Sequence, residues 1–89
     1  MSRYRIPRYI DLPFGYLVEV KQLSRRAFID ENGADVFATW ESGENGGVVY
    51  LDRSRPVDKR RADLAHELIH AALDFQAKII GGAHGDAKD

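Results

Sequence analysis

Hydrophobic and polar residues alternate along residues 16–23 (YLVEVKQL), where Tyr16, Val18 and Val20 fall on one side and Glu19 and Lys21 on the other. A period of two predicts a half-buried strand. The alternation returns at residues 36–41 (VFATWE), with Val36, Ala38 and Trp40 sharing a face, and residues 48–51 (VVYL) add a third run of strand formers. Between these two runs lies SGENGG, whose Asn45-Gly46 pair predicts a hairpin turn. Residues 24–31 (SRRAFIDE) fit a strand or a short helix equally, and Asn32-Gly33 marks a turn after them. Residues 1–14 hold Pro7, Pro13, Arg3, Arg5 and Arg8 and predict an extended arm draped over the domain.

After residue 54 the period changes. Leu64, Ala65, Leu68, Ala72, Phe75 and Ile79 recur at helical spacing, which predicts one long helix over 55–80 with these residues as its buried stripe. Ser54 is a candidate N-cap, Pro56 and Asp58 suit a first turn, and Gly81-Gly82 supplies a stop. The expected fold class is α+β: a small, mainly antiparallel sheet of three to four strands packed on the long helix. The 89 residues form one domain, divided into an arm (1–14), a sheet (15–52), a helix (55–80) and a tail (81–89).

So short a chain buries only about 60–65% of its unfolded surface, and domains of this size often rely on a disulfide, a metal or a partner. There is no cysteine, so disulfides, thiolate zinc sites and cysteine nucleophiles are excluded, leaving His, Asp and Glu as metal donors. Thirteen basic and fourteen acidic residues give a net charge of −1, which argues neither for nucleic acid nor for a membrane. The opening residues lack the apolar core of a signal peptide, and no apolar run approaches the ~20 residues of a membrane span. The expected location is the cytoplasm.

The candidate chemistry sits inside the long helix, as His66-Glu67-Leu68-Ile69-His70. Two histidines four residues apart lie one turn apart on the same face, so both imidazoles reach one zinc ion at ~2.0–2.1 Å without moving the backbone. Glu67 follows His66 by about 100° of rotation, which places it to reach a water on the ion rather than the ion itself. It is the candidate general base, taking a proton from that water and passing it to the leaving amine. Leu68 and Ile69, between the histidines, are expected to face the core. For a third ligand the chain offers His84, fourteen residues beyond His70 and just past the glycine pair, with Asp86 and Asp89 as tail alternatives. Asp74, one turn after His70, suits a partner that orients a ring nitrogen, or a plain solvated residue. The run Arg53 to Arg61 holds five basic residues, a solvated helix start or a contact to phosphate. Phe37, Trp40 and Tyr50 are expected in the core rather than along a substrate groove.

Residues 47–75 (GVVYLDRSRPVDKRRADLAHELIHAALDF) resemble the active-site region of ImmA/IrrE-type metallopeptidases. The matching positions are Tyr50 and Leu51 in a short strand, Arg60 and Arg61 in the lead-in, and Leu64 through His70. The resemblance implies a gluzincin-like fold, zinc on His66 and His70, Glu67 as base, and a third ligand that in that family is a later glutamate. This chain has no glutamate after Glu67. His66 to Ala71 followed by His84-Gly85 is similar to SprT-like proteases, which implies His84 as third ligand. The proline and aromatic that continue that family's pattern, and its cysteine-rich ribbon, are absent here. Hydrolysis of a peptide bond in a protein or peptide substrate is therefore expected. In zincins an edge strand beside the metal binds substrate as an added strand, and residues 36–41 or 48–51 are the candidates for it. Two competing functions are a non-catalytic binding or regulatory module on the same fold and a DNA-associated protein that uses the Arg53–Arg61 run.

Overall fold

The computed structural model describes residues 5–80. Strand β1 (Tyr9–Asp11) leads through a 3-10 turn (Pro13–Gly15) into β2 (Leu17–Leu23), followed by helix α1 (Arg25–Asn32). Strands β3 (Ala38–Gly43) and β4 (Gly46–Asp52) form a hairpin, and helix α2 (Val57–Phe75) closes the described fold with a π-helical turn over Gln76–Ile80. The sheet order is β1-β2-β4-β3. β1–β2 and β3–β4 are antiparallel, but the central pair β2–β4 is parallel, so the sheet is mixed rather than mainly antiparallel.

The parallel pair follows from the connection between its strands. From β2 the chain passes through α1 and an irregular segment and enters the sheet at its far edge as β3. The hairpin then returns β4 alongside β2. The residues read as strand or helix, 24–31, are thus helical. Ser24 caps α1 by accepting a hydrogen bond from the Ala27 N–H at 3.3 Å, and Gly33 ends it at φ 91°. The Asn45-Gly46 signal holds, with a tighter turn than its six-residue loop suggested: only Glu44 and Asn45 lie between the paired Gly43 and Gly46. The arm is partly built into the fold, since residues 9–11 pair with β2 and Ile6 is buried.

The alternation in β2 plays out as read. Tyr16, Val18 and Val20 are buried and pack with Val49, Leu51, Leu64 and Ala71 into the core beneath α2. Trp40, Leu68, Phe75 and Ile79 close its margins. Leu64, Leu68, Phe75 and Ile79 of the expected α2 stripe pack on the core as read, but its alanines do not. Ala71 is buried while Ala65 and Ala72 are exposed, and Ile69, expected in the core, is 59% exposed. The buried series 64-67-68-71-75 keeps helical spacing, and Ile69 falls outside that arc. Ser54 does not cap α2. It donates its N–H and hydroxyl to Asp52, and Pro56 occupies the cap position. On the opposite face of the sheet, buried Asp52 also accepts from Arg25 of α1 at 2.5 Å. Burial works to raise the Asp52 pKa, but the Ser54 hydroxyl, the Ser54 N–H and the Arg25 guanidinium outweigh it and hold the carboxyl below its usual range.

Gly46 opens β4 where β4 meets β2, at φ 140°, and an added Cβ would sit 1.8 Å from the Leu17 carbonyl oxygen. No side chain fits without separating the parallel strands. Gly46→Ala is expected to cost more than about 2–3 kcal/mol, lowering Tm by at least about 10 °C in a thermal melt followed by circular dichroism. A melt within a few degrees of wild type would contradict this packing.

Candidate functional site

Helix α2 lies across β4 and β3 and runs in the same sense as β3. Ala38 at the start of β3 lines a cavity with Glu67, and Ser42 near its end hydrogen-bonds Asp74. At 100° per residue, Asp63, Glu67 and Asp74 fall on the flank of α2 that leans over β3, with His66 and His70 just outboard on the same flank. Both histidines are exposed, and their ring centroids are 5.4 Å apart in an edge-to-face arrangement. Glu67 is buried, with 8% of its surface exposed. Among the described residues no side-chain hydrogen bond or ion pair holds Glu67 or His66, so both retain their capacity to act on a ligand.

A cavity of about 260 Å³ opens beside the motif, lined by Asp35, Val36, Phe37, Ala38, Asp63, His66 and Glu67. Phe37, expected in the core, is 40% exposed and forms a wall of this cavity. The Arg55 and Arg25 guanidinium carbons lie 4.0 and 5.3 Å from its ring centroid. Arg55 is in turn fixed by Asp63 through hydrogen bonds of 2.9 and 3.1 Å. Sequence reasoning passed over Asp63 and took Arg55 only as one of the five cations of the basic run. Asp63 stands three residues before His66 on the same flank, and that spacing was the available signal.

β3 is the open edge of the sheet, whereas β4 is paired on both sides, which removes residues 48–51 as the candidate edge strand. The Asp52 N–H donates to the Phe37 carbonyl, so residues 37, 39, 41 and 43 turn their backbone groups toward β4. Ala38, Trp40 and Ser42 therefore present their N–H and C=O groups outward along the edge that α2 overhangs.

Asp74 orients no imidazole and is more than a plain solvated residue, since its half-buried carboxylate is held on three sides. It accepts from the Tyr16 hydroxyl at 2.5 Å and the Ser42 hydroxyl at 3.1 Å, and pairs with Lys78 at 3.1 Å. Lys78 also donates to Ser42 at 2.7 Å and to the Gly43 carbonyl. The Tyr16 ring lies edge-on to Phe75 with centroids 5.1 Å apart. One carboxylate thus ties α2 to both β2 and β3. His84, Asp86 and Asp89 lie outside the described residues, as does the Gly81-Gly82 stop. Among the described residues no three His, Asp or Glu side chains gather as a metal site. The two exposed imidazoles one turn apart fit zinc as two of its ligands.

The basic run resolves into separate roles. Arg55 is committed to Asp63, and Arg60 donates to the Gln22 side chain at 2.5 Å and to the Arg55 carbonyl at 2.8 Å. No helix among the described residues is long and apolar enough to cross a membrane. Comparison with protein-family models, curated proteins and solved structures returns no match.

Burial, with the hydrogen bond to Asp74 and the Asp74 charge, pushes the Tyr16 phenol above its ordinary range. Burial also works to raise Asp74, but hydrogen bonds from Tyr16, Lys78 and Ser42 outweigh it and hold the carboxyl below its usual value. A lowered carboxyl contributes stability that is present above its unfolded value of about 3.9 and is lost as pH falls through the lower folded one. A raised phenol contributes stability below about pH 10 that is lost as pH rises further. Asp74→Asn is expected to cost about 1–3 kcal/mol at pH 7 and to leave a shallower acid limb in Tm measured against pH. A variant with wild-type Tm and an unchanged acid limb would remove Asp74 as the anchor of α2.

Proposed function

We propose that the chain is a zinc-dependent hydrolase of peptide bonds. One juxtaposition carries this proposal. His66 and His70 are exposed side by side, and the cavity that His66 lines with buried Glu67 reaches Ala38 at the start of the open edge strand β3. His66 and His70 are the proposed protein ligands of the ion, with His84 as the proposed third. Zinc bound there supplies a Lewis acid that polarises the carbonyl and acidifies water.

The chain's own residues supply the rest. The outward backbone groups of Ala38, Trp40 and Ser42 receive an extended peptide as an added strand, which gives affinity without demanding one side-chain sequence. Phe37 and Val36 give the cavity an apolar wall, while the Arg25 and Arg55 guanidiniums keep the Phe37 ring in place. Glu67, held in position by the packing of α2, accepts a proton from the attacking water and delivers it to the departing amine.

Glu67→Gln removes the base but keeps the side chain's shape. In zinc-loaded protein assayed on an unfolded polypeptide such as casein, this variant is expected to lose at least about 100-fold in turnover while retaining zinc. Cleavage by wild type and Glu67→Gln at the same rate would assign the activity elsewhere. Zinc bound without turnover in wild type would leave a binding module on this fold.

A further inference from the structure

At the sheet edge opposite β3, the short strand β1 leaves part of β2 uncovered among the described residues. The ladder between them runs back from Asp11 to Arg8, whose carbonyl accepts from the Val20 N–H at 2.8 Å, and among the described residues no backbone hydrogen bond joins the two strands beyond it. β2 extends three residues further, to Leu23. Its parity is fixed at both ends. The Val20 N–H points toward β1, and the Leu23 carbonyl points toward β4, where it accepts from the Arg53 N–H. The Gln22 backbone N–H and C=O therefore point into the notch that β1 leaves.

A cavity of about 500 Å³ fills this notch. Arg8 enters from the end of β1, Lys21 from β2 and Arg53 from the turn after β4. All three are exposed, and among the described residues none of them enters an ion pair. Glu19 is the one carboxylate in the lining, so positive charge is in excess. Tyr9 stands at the rim, 56% exposed. Arg53 thus parts company with the rest of the basic run, whose Arg55 and Arg60 are committed to Asp63 and Gln22.

We propose that this notch binds a nucleotide, either free or as part of a single strand. Arg8 and Arg53 reach its phosphate around the sheet edge from one side and Lys21 from the other, the Gln22 N–H adds a directed donor, and the base stacks on Tyr9, on the Lys21 side. Guanidinium pairs suit phosphate oxygens, and an exposed tyrosine beside cations offers a π-face to any base. Glu19 opposite the cations disfavours a ligand carrying several phosphates at one point. The site is separate from His66 and Glu67, so its occupation does not depend on the hydrolase proposal.

Fluorescence anisotropy of a labelled short oligothymidylate, with AMP as competitor, tests the proposal on the whole chain. Binding is expected to weaken at least about tenfold in Arg8→Gln/Arg53→Gln, with a salt slope shallower by roughly one to two. Tyr9→Ala is expected to weaken it at least about fivefold through lost stacking. Arg26→Gln, an exposed cation on α1 outside the notch, serves as control and is expected to bind as wild type. Displacement by AMP at micromolar concentration would identify a free nucleotide as the ligand, and retention of the oligomer against AMP would identify a strand. No binding of either probe, or equal binding by wild type and the Arg8/Arg53 variant with its melt unchanged, would overturn the proposal.

Discussion

The carboxylate of Asp74 fixes how α2 sits on the sheet. It accepts a hydroxyl from Tyr16, which precedes β2, and another from Ser42 in β3, and it pairs with Lys78 one turn further along the helix. Hydrogen bonds to a charged group are worth about 1.5–3 kcal/mol each, enough to fix a rotation that apolar packing alone would leave soft. That rotation decides the rest. It turns Leu64, Leu68 and Ala71 into the core, brings Glu67 to the cavity, and leaves His66 and His70 on the flank above the open edge of β3. The Arg55–Asp63 pair secures the same flank near the start of the helix and sets Phe37 as the cavity wall.

The two ends of the sheet are finished differently. β3 is flanked by α2, so its free backbone groups face a lined, partly apolar space. The β1 ladder stops at Arg8, and the remaining edge of β2 is bordered by Arg8, Lys21 and Arg53. Charge at that edge also discourages pairing with another chain, a structural benefit that holds whether or not a ligand binds there.

Much of this was legible in the residues. The period-two pattern of 16–23 gave the right strand and the right buried face, and Asn45-Gly46 located the hairpin. Alternation says which face of a strand is buried but not which strand is its neighbour, so the parallel β2–β4 pairing was hidden. It depends on the path of residues 24–37 and on the absence of a side chain at Gly46, where Leu17 closes in. The helix stripe was right at Leu64, Leu68, Phe75 and Ile79 and wrong at its alanines, because alanine is small enough for either side: Ala65 and Ala72 fit the apolar pattern as well as Ala71 does. Segment 24–31 stayed ambiguous because, of α1, Phe28 alone is fully buried. In the candidate site, the four-residue spacing of His66 and His70 put both rings on one flank. Asp74 could not be assigned from its helix, since its main partner Tyr16 lies 58 residues away.

Zinc stoichiometry on wild type, His66→Ala and His84→Ala tests most directly whether the flank above β3 is a metal centre. The account predicts one tightly held zinc per chain in wild type and its loss in both variants, with the fold intact by circular dichroism. Loss in His66→Ala alone would keep the centre and move its third ligand away from His84. A folded wild-type protein that takes up no zinc would contradict the account.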